Sequence, residues 1–318
     1  MHASRSTGRA GLALTILFVG AAFAGVALAA ANRQPPAPAP AKAPAVQAAN
    51  YVGDDTCLTC HDDKGYAATA HGRKFNANTP AATHGCESCH GPGKDHVDGE
   101  GDKAKIVNPS KLGVRHASDT CTTCHNRATH ALWNGSQHDM RQVGCLSCHS
   151  VHSPAGPRAL KAKDEMALCG TCHRAIVNKQ FRFNHMPVRE AKMSCSSCHN
   201  VHGSTNVRLL KAGTTIDESC WTCHAEKRGP FIWDHAPVSE SCTTCHDPHG
   251  SNNDRMLVAK QPFLCQRCHV TSRPPPTVYD GYLLQTSQNA NKIFGRSCVS
   301  CHQQVHGSNA PSGKAFLR

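Results

Sequence analysis

The chain has 318 residues, of which 39% are hydrophobic and only 5% aromatic, with 20 cysteines, 23 histidines and a formal net charge of +12. So few large apolar side chains exclude an ordinary globular core of that size. Something other than amino acids has to supply the apolar interior, and the surplus of cysteine and histidine indicates what.

Residues 1–31 read as a secretory signal. Arg5 and Arg9 give a positive start, an apolar run extends from about Ala10 to Ala31, and Ala27, Ala29 and Ala31 offer A-x-A cleavage sites. The run just reaches the roughly 20 residues of a membrane span, so an uncleaved inner-membrane anchor is the alternative. Gly20, Gly25 and the Ala-rich end favour cleavage. Residues 32–50 are almost all Pro and Ala, with Lys42 their one lysine, and form a stiff, extended linker. The folded part therefore spans residues 51–318. No later stretch is long and apolar enough to cross a bilayer, and no repeated β-barrel alternation is seen.

Ten copies of C-x-x-C-H follow, and every cysteine lies inside one. In order they are Cys57, Cys60 and His61; Cys86, Cys89 and His90; Cys121, Cys124 and His125; Cys145, Cys148 and His149; Cys169, Cys172 and His173; Cys195, Cys198 and His199; Cys220, Cys223 and His224; Cys242, Cys245 and His246; Cys265, Cys268 and His269; and Cys298, Cys301 and His302. This spacing is the attachment signature of c-type haem. Each thiol can add to one haem vinyl group, and the histidine that follows is held against the iron as its proximal ligand. Structural zinc does not require histidine directly after the second cysteine. A disulfide framework explains neither the constant spacing nor the invariant histidine, and a thioredoxin-like pair would occur once. The expected cofactor is haem c, ten copies, covalently attached.

The fold class expected is that of a multihaem cytochrome c: an elongated, haem-dominated core, short α-helices, much irregular structure and little or no β. Porphyrins replace the missing hydrophobic interior, so folding is coupled to haem attachment. They also change the charge. Arg5 and Arg9 leave with the signal, which reduces +12 to about +10, and ten haems bring about −20 in propionates. Ferric haem cores restore about +10, so the oxidised protein is near neutral. Nucleic-acid binding is excluded as a reading, and the Lys and Arg residues are read as propionate partners.

Ten irons need ten distal ligands. Methionines are few and follow no regular offset, so histidine is the economical choice, giving bis-His, low-potential haems. A second histidine follows three motifs at a fixed offset, as His152, His202 and His249, and His306 follows the last motif one residue later. The segment after it recurs up to Arg158, Arg208 and Arg255. Upstream lie Phe183-Asn-His185 and Trp233-Asp-His235, a looser Trp133 with His138, and His71. These eight histidines are the distal candidates. Of His84, His96, His116 and His130, two are expected to complete the set, with His96 and His116 chosen. Trp133, Phe183 and Trp233 are expected to pack on porphyrin. The chain reads as about five two-haem repeats of roughly 45–65 residues, each sharing its core with its neighbours. A motif-bearing helix is expected around residues 164–179.

A catalytic haem needs an open or weakly held iron position. All ten motifs keep their histidine, so an electron-transfer protein without catalytic residues is expected. One anomaly stands out. Between Cys268 and Cys298 the only histidine is His269, so the haem at Cys265 and Cys268 lacks a local partner; it takes a ligand from elsewhere or is open.

Cys86-Glu-Ser-Cys89-His90-Gly-Pro-Gly, the repeated Cys-His-x-x-His blocks and the ten motifs together resemble the decahaem cytochromes of the MtrA/DmsE type over residues 51–318. The resemblance implies a staggered wire of bis-His haems inserted into a large outer-membrane β-barrel. It implies a periplasmic location associated with the outer membrane, a periplasmic or inner-membrane cytochrome or quinol-linked donor or acceptor, and an extracellular cytochrome as a further partner. Inward flow would serve extracellular Fe(II) oxidation; outward flow would serve reduction of metals or organic acceptors. A polar wire cannot face lipid and needs such a sheath. The alternatives are a soluble periplasmic shuttle to a reductase and a multihaem oxidoreductase acting on a small nitrogen or sulfur compound.

Overall fold

The computed structural model describes residues 50–269, 297–311 and 313–317, which fall within one compact unit, Ala49–Arg318. The expected signal at 1–31 and almost all of the linker at 32–50 lie outside the described residues.

Among the described residues the secondary structure consists of short α- and 3-10 helices, and the longest is Val114–Thr122. There is no β-sheet among them, only isolated bridges. The single helix expected over 164–179 is two, Glu165–Cys169 and Arg174–Lys179. The Cys169–His173 motif interrupts it, and the second helix starts only after His173, whose φ of −91° and ψ of 46° are not helical. The buried hydrophobic side chains among the described residues are few: Ala117, Trp133, Leu160, Leu209, Leu210 and Leu257. None of the described side chains is completely buried. That scarcity follows from the composition and leaves the interior to a non-protein group.

One local device recurs three times. After each of the motifs ending at His149, His199 and His246, the chain turns back and bridges that histidine to Leu160, Leu210 and Leu257. The turn passes through Arg158, Arg208 and Arg255, whose φ angles of 55°, 55° and 54° are left-handed. Left-handed non-glycine backbone is strained and persists where surroundings dictate it. Here it aims each arginine carbonyl at the motif histidine. The Nδ1 of His149, His199 and His246 donates to Arg158 O, Arg208 O and Arg255 O at 3.0, 2.9 and 2.9 Å.

A second device joins distant segments. Phe183 bridges to Ser251, and Trp233 to Ser308. The glycines that follow three second histidines allow the close approach. A Cβ on Gly203, Gly250 or Gly307, at φ of 130°, 117° and 130°, would lie 2.0 Å from Leu132 O, 2.3 Å from Lys179 O and 2.3 Å from the Phe231 ring, respectively. Trp133 is buried, and Trp233 Nε1 donates to Ala310 O at 2.9 Å, so both tryptophans sit at these seams. Phe183 is more than half exposed.

Candidate haem sites

Consecutive motifs are brought together by acceptors that precede them. Asp54 Oδ1 accepts from Cys86 N at 2.7 Å, Ser118 Oγ from Cys145 N at 3.3 Å, and Asp217 Oδ1 from Cys242 N at 2.8 Å. Glu165 does the same for Ser196 N at 2.7 Å. Each acceptor stands three or four residues before the first cysteine of one motif and caps the N-terminus of the next. The sequence reading missed these four residues; the signal was an Asp, Glu or Ser three or four residues before the first, third, fifth and seventh motifs.

The thiols follow this pairing. Cys57 meets Cys86, Cys121 meets Cys145, Cys169 meets Cys195, Cys220 meets Cys242 and Cys265 meets Cys298. The hydrogen bond within the second couple raises the Cys121 thiol and lowers that of Cys145. The second cysteines alternate with these contacts: Cys89 lies within electrostatic reach of Cys124, Cys148 of Cys172, Cys198 of Cys223 and Cys245 of Cys268. Motifs adjacent in sequence are therefore adjacent in space along the whole series.

The histidine rings meet across the motifs. A metal–imidazole bond is about 2 Å and the ring centre lies roughly 1 Å further, so two imidazoles on opposite sides of one metal have centres about 6 Å apart. Among the described residues nine motif histidines face another histidine at this spacing. His61 faces His96 at 6.2 Å, His90 faces His152 at 6.2 Å, and His125 faces His71 at 5.8 Å. His149 faces His202 at 6.1 Å, His173 faces His138 at 6.4 Å, and His199 faces His249 at 6.1 Å. His224 faces His185 at 6.2 Å, His246 faces His306 at 6.1 Å, and His269 faces His235 at 6.0 Å.

Nine of the ten expected distal residues are thus opposite a motif histidine. The tenth, His116, is not; it lies on the Val114–Thr122 helix and faces no motif histidine among the described residues. His269, which has no other histidine between Cys268 and Cys298, faces His235 from the upstream segment that also bridges Trp233 to Ser308.

Several of these rings are oriented for a metal. A backbone carbonyl can only accept, so a ring whose Nδ1 bonds to one carries its proton there and leaves Nε2 bare. Besides the three arginine carbonyls, His90 donates to Val107 O at 2.8 Å, His96 to Asp102 O at 2.8 Å, His138 to Val201 O at 3.0 Å and His235 to Val305 O at 3.0 Å. This is the outer-shell bond that fixes the tautomer of a metal-ligating histidine. Burial lowers His71, His185, His235, His249 and His306, and burial with neighbouring His130 and His149 pushes His202 down to about 4. In all six the shift favours the neutral imidazole, the form that binds metal. Among the described residues the buried Trp133 Nε1 has no acceptor, which makes it a donor available to a propionate. The residues present fit haem.

Comparison with known proteins agrees. A doubled CXXCH motif family matches residues 185–229 and 235–274, a cytochrome c-type protein NrfB-like family matches 86–172, and a cytochrome c554 and c-prime family matches 29–91. The chain is 43% identical over 277 residues to the multiheme cytochrome MtrA of Shewanella baltica (strain OS185), covering 84% of this chain and 81% of that protein. It belongs to the MtrA family of multihaem c-type cytochromes. As a member of the MtrA family it carries haem c and transfers electrons rather than catalysing a reaction on a substrate. Cytochrome c-554 of Nitrosomonas europaea is also similar, at 32% identity over 102 residues, covering 28% of this chain and 43% of that protein. Among the described residues no helix is long and apolar enough to cross a membrane.

Proposed function

We propose that this MtrA-family chain holds ten haems in five couples and conducts electrons between the periplasm and the cell exterior through an outer-membrane β-barrel partner. The twenty cysteines are the thioether attachment points, the ten motif histidines the proximal ligands, and the nine facing histidines the distal ligands. The observation that carries the reading is the unbroken adjacency of consecutive motifs together with the series of histidine pairs about 6 Å apart. Haem supplies reversible one-electron chemistry when bound. The chain's own part is to hold each iron between two neutral imidazoles, which keeps the potentials low, and to place successive sites side by side.

The length suits a membrane crossing. A bilayer with its headgroups is about 40 Å thick, and a row of ten haems can span that. The irregular, polar backbone has to be enclosed where it passes lipid, which calls for a closed barrel with a polar lumen. A periplasmic or inner-membrane cytochrome or quinol-linked protein exchanges electrons at one end. Extracellular Fe(II), a metal or organic acceptor, or an extracellular cytochrome does so at the other.

The test is isolation from outer membranes followed by reconstitution. The chain should co-purify with a large barrel protein and, together with it, reduce or oxidise an acceptor sealed inside liposomes. A chain recovered wholly from the soluble periplasmic fraction, with no transfer across the vesicle wall, would instead identify a shuttle.

A further inference from the structure

The histidine pairing leaves one motif apart. His302 is built like the other proximal residues, with its Nδ1 donating to Ala315 O at 2.5 Å. Yet among the described residues no histidine faces it. The remaining histidines are committed elsewhere. His306, the nearest in sequence, faces His246. His84 lies on the ring of Tyr51, centroids 4.0 Å apart and planes 15° apart. His130 stands 4.1 Å from His202 and 5.4 Å from His125, within two other pairs. His116 is on the helix that packs against Cys145–Cys148, at the fourth motif. Residues 270–296 contain neither histidine nor methionine, and residues 303–318 add only His306.

We propose that the iron held by Cys298, Cys301 and His302 has no histidine on its far face and keeps that position open to a small exogenous ligand. This rests on the reading of ten haems and nine bis-His pairs given above. The sequence left the Cys265–Cys268 haem either open or liganded from elsewhere; this proposal puts the open site instead at the last haem in the series. One feature suits the assignment: among the described residues the last motif adjoins only one other, through Cys298 and Cys265, so it ends the row. An iron with five fixed ligands binds donors such as carbon monoxide when ferrous and cyanide when ferric, with no change of oxidation state and loss only of any water held there. At this end of the row, electron exchange can then pass through a directly coordinated partner, a small donor molecule or anion, rather than only across a porphyrin edge.

The experiment uses the full-length protein with its haem complement established by mass. The oxidised protein should contain one high-spin haem for nine low-spin haems by quantitative paramagnetic resonance. The reduced protein should take up one carbon monoxide per chain. Ten haems that are all low-spin, with no carbon monoxide adduct, overturn the inference and leave the reading of the other nine intact. Several high-spin haems overturn both. A second protein, carrying Cys298→Ser with Cys301→Ser, should lose one haem and the whole carbon monoxide response. Retention of that response by the nine-haem protein places the open iron elsewhere and overturns the assignment. The counts on the unaltered chain stand even if this variant does not accumulate.

Discussion

The rings of His185 and His224 face each other at 6.2 Å with their planes crossed at 86°, whereas those of His199 and His249 face at 6.1 Å with planes only 15° apart. The difference has electronic consequences for an iron between them. Parallel imidazoles donate into the same iron orbital and split the remaining pair widely. Crossed imidazoles donate equally into both and leave them nearly degenerate.

Two classes of low-spin haem are therefore expected in the oxidised protein. His71–His125, His138–His173 and His185–His224 are crossed at 84°, 75° and 86°. Five pairs lie near parallel, at 20°, 22°, 15°, 20° and 15°, and the ninth, His90–His152, stands between the two classes at 50°. Low-temperature paramagnetic resonance should resolve three strongly anisotropic centres beside five ordinary rhombic ones. A spectrum of a single rhombic class contradicts the crossed geometry.

Replacing His185 by methionine should raise the potential of one haem by roughly 0.1–0.2 V, because a thioether favours ferrous iron. The same variant should remove one centre from the anisotropic class and leave the rhombic class unchanged. A redox titration followed optically, with the spectrum recorded alongside, checks both. Unaltered titration and spectrum would argue against ligation by His185.

Asp217 is buried, with 4% of its surface exposed, and its Oδ1 holds Cys242 N at 2.8 Å. Asp217→Ala leaves that N–H without an acceptor and should destabilise the haem-loaded protein by about 1–3 kcal/mol. Asp217→Asn keeps a carbonyl oxygen there and should recover most of the loss. Guanidinium unfolding followed at the haem band measures the two. Equal losses in both variants would mean that the hydrogen bond is not what joins these motifs.

Gly250 and Gly135 separate backbone strain from collision. Both have positive φ, 117° and 79°, but only at Gly250 would a Cβ meet backbone, 2.3 Å from Lys179 O. Gly135→Ala should cost about 1 kcal/mol from its left-handed backbone. Gly250→Ala should cost more, about 2–4 kcal/mol, since a carbonyl cannot swing aside as a side chain can. It should also broaden the spectrum of the His199–His249 centre, because His249 directly precedes the glycine. Thermal unfolding of the two variants gives the comparison.

The attachment chemistry was legible in the sequence because it is local. Two thiols and a histidine within five residues carry their function in their spacing, whatever the rest of the chain does. The lack of a protein core was legible too, from the scarcity of aromatic residues. The recurrence of His152, His202 and His249 marked them as candidate ligands, but not of which iron. That depends on turns and bridges between segments far apart in the chain, such as Trp233 with Ser308 and Phe183 with Ser251. His96 shows the same limit, for nothing around it repeats, and only the folded chain brings it opposite His61. Sequence alone determined where the proposed haem attachment points lie. The tertiary structure decided which histidine stands opposite which, and therefore which motif is left without one among the described residues, because a ring-to-ring approach is a contact in space with no counterpart in sequence spacing.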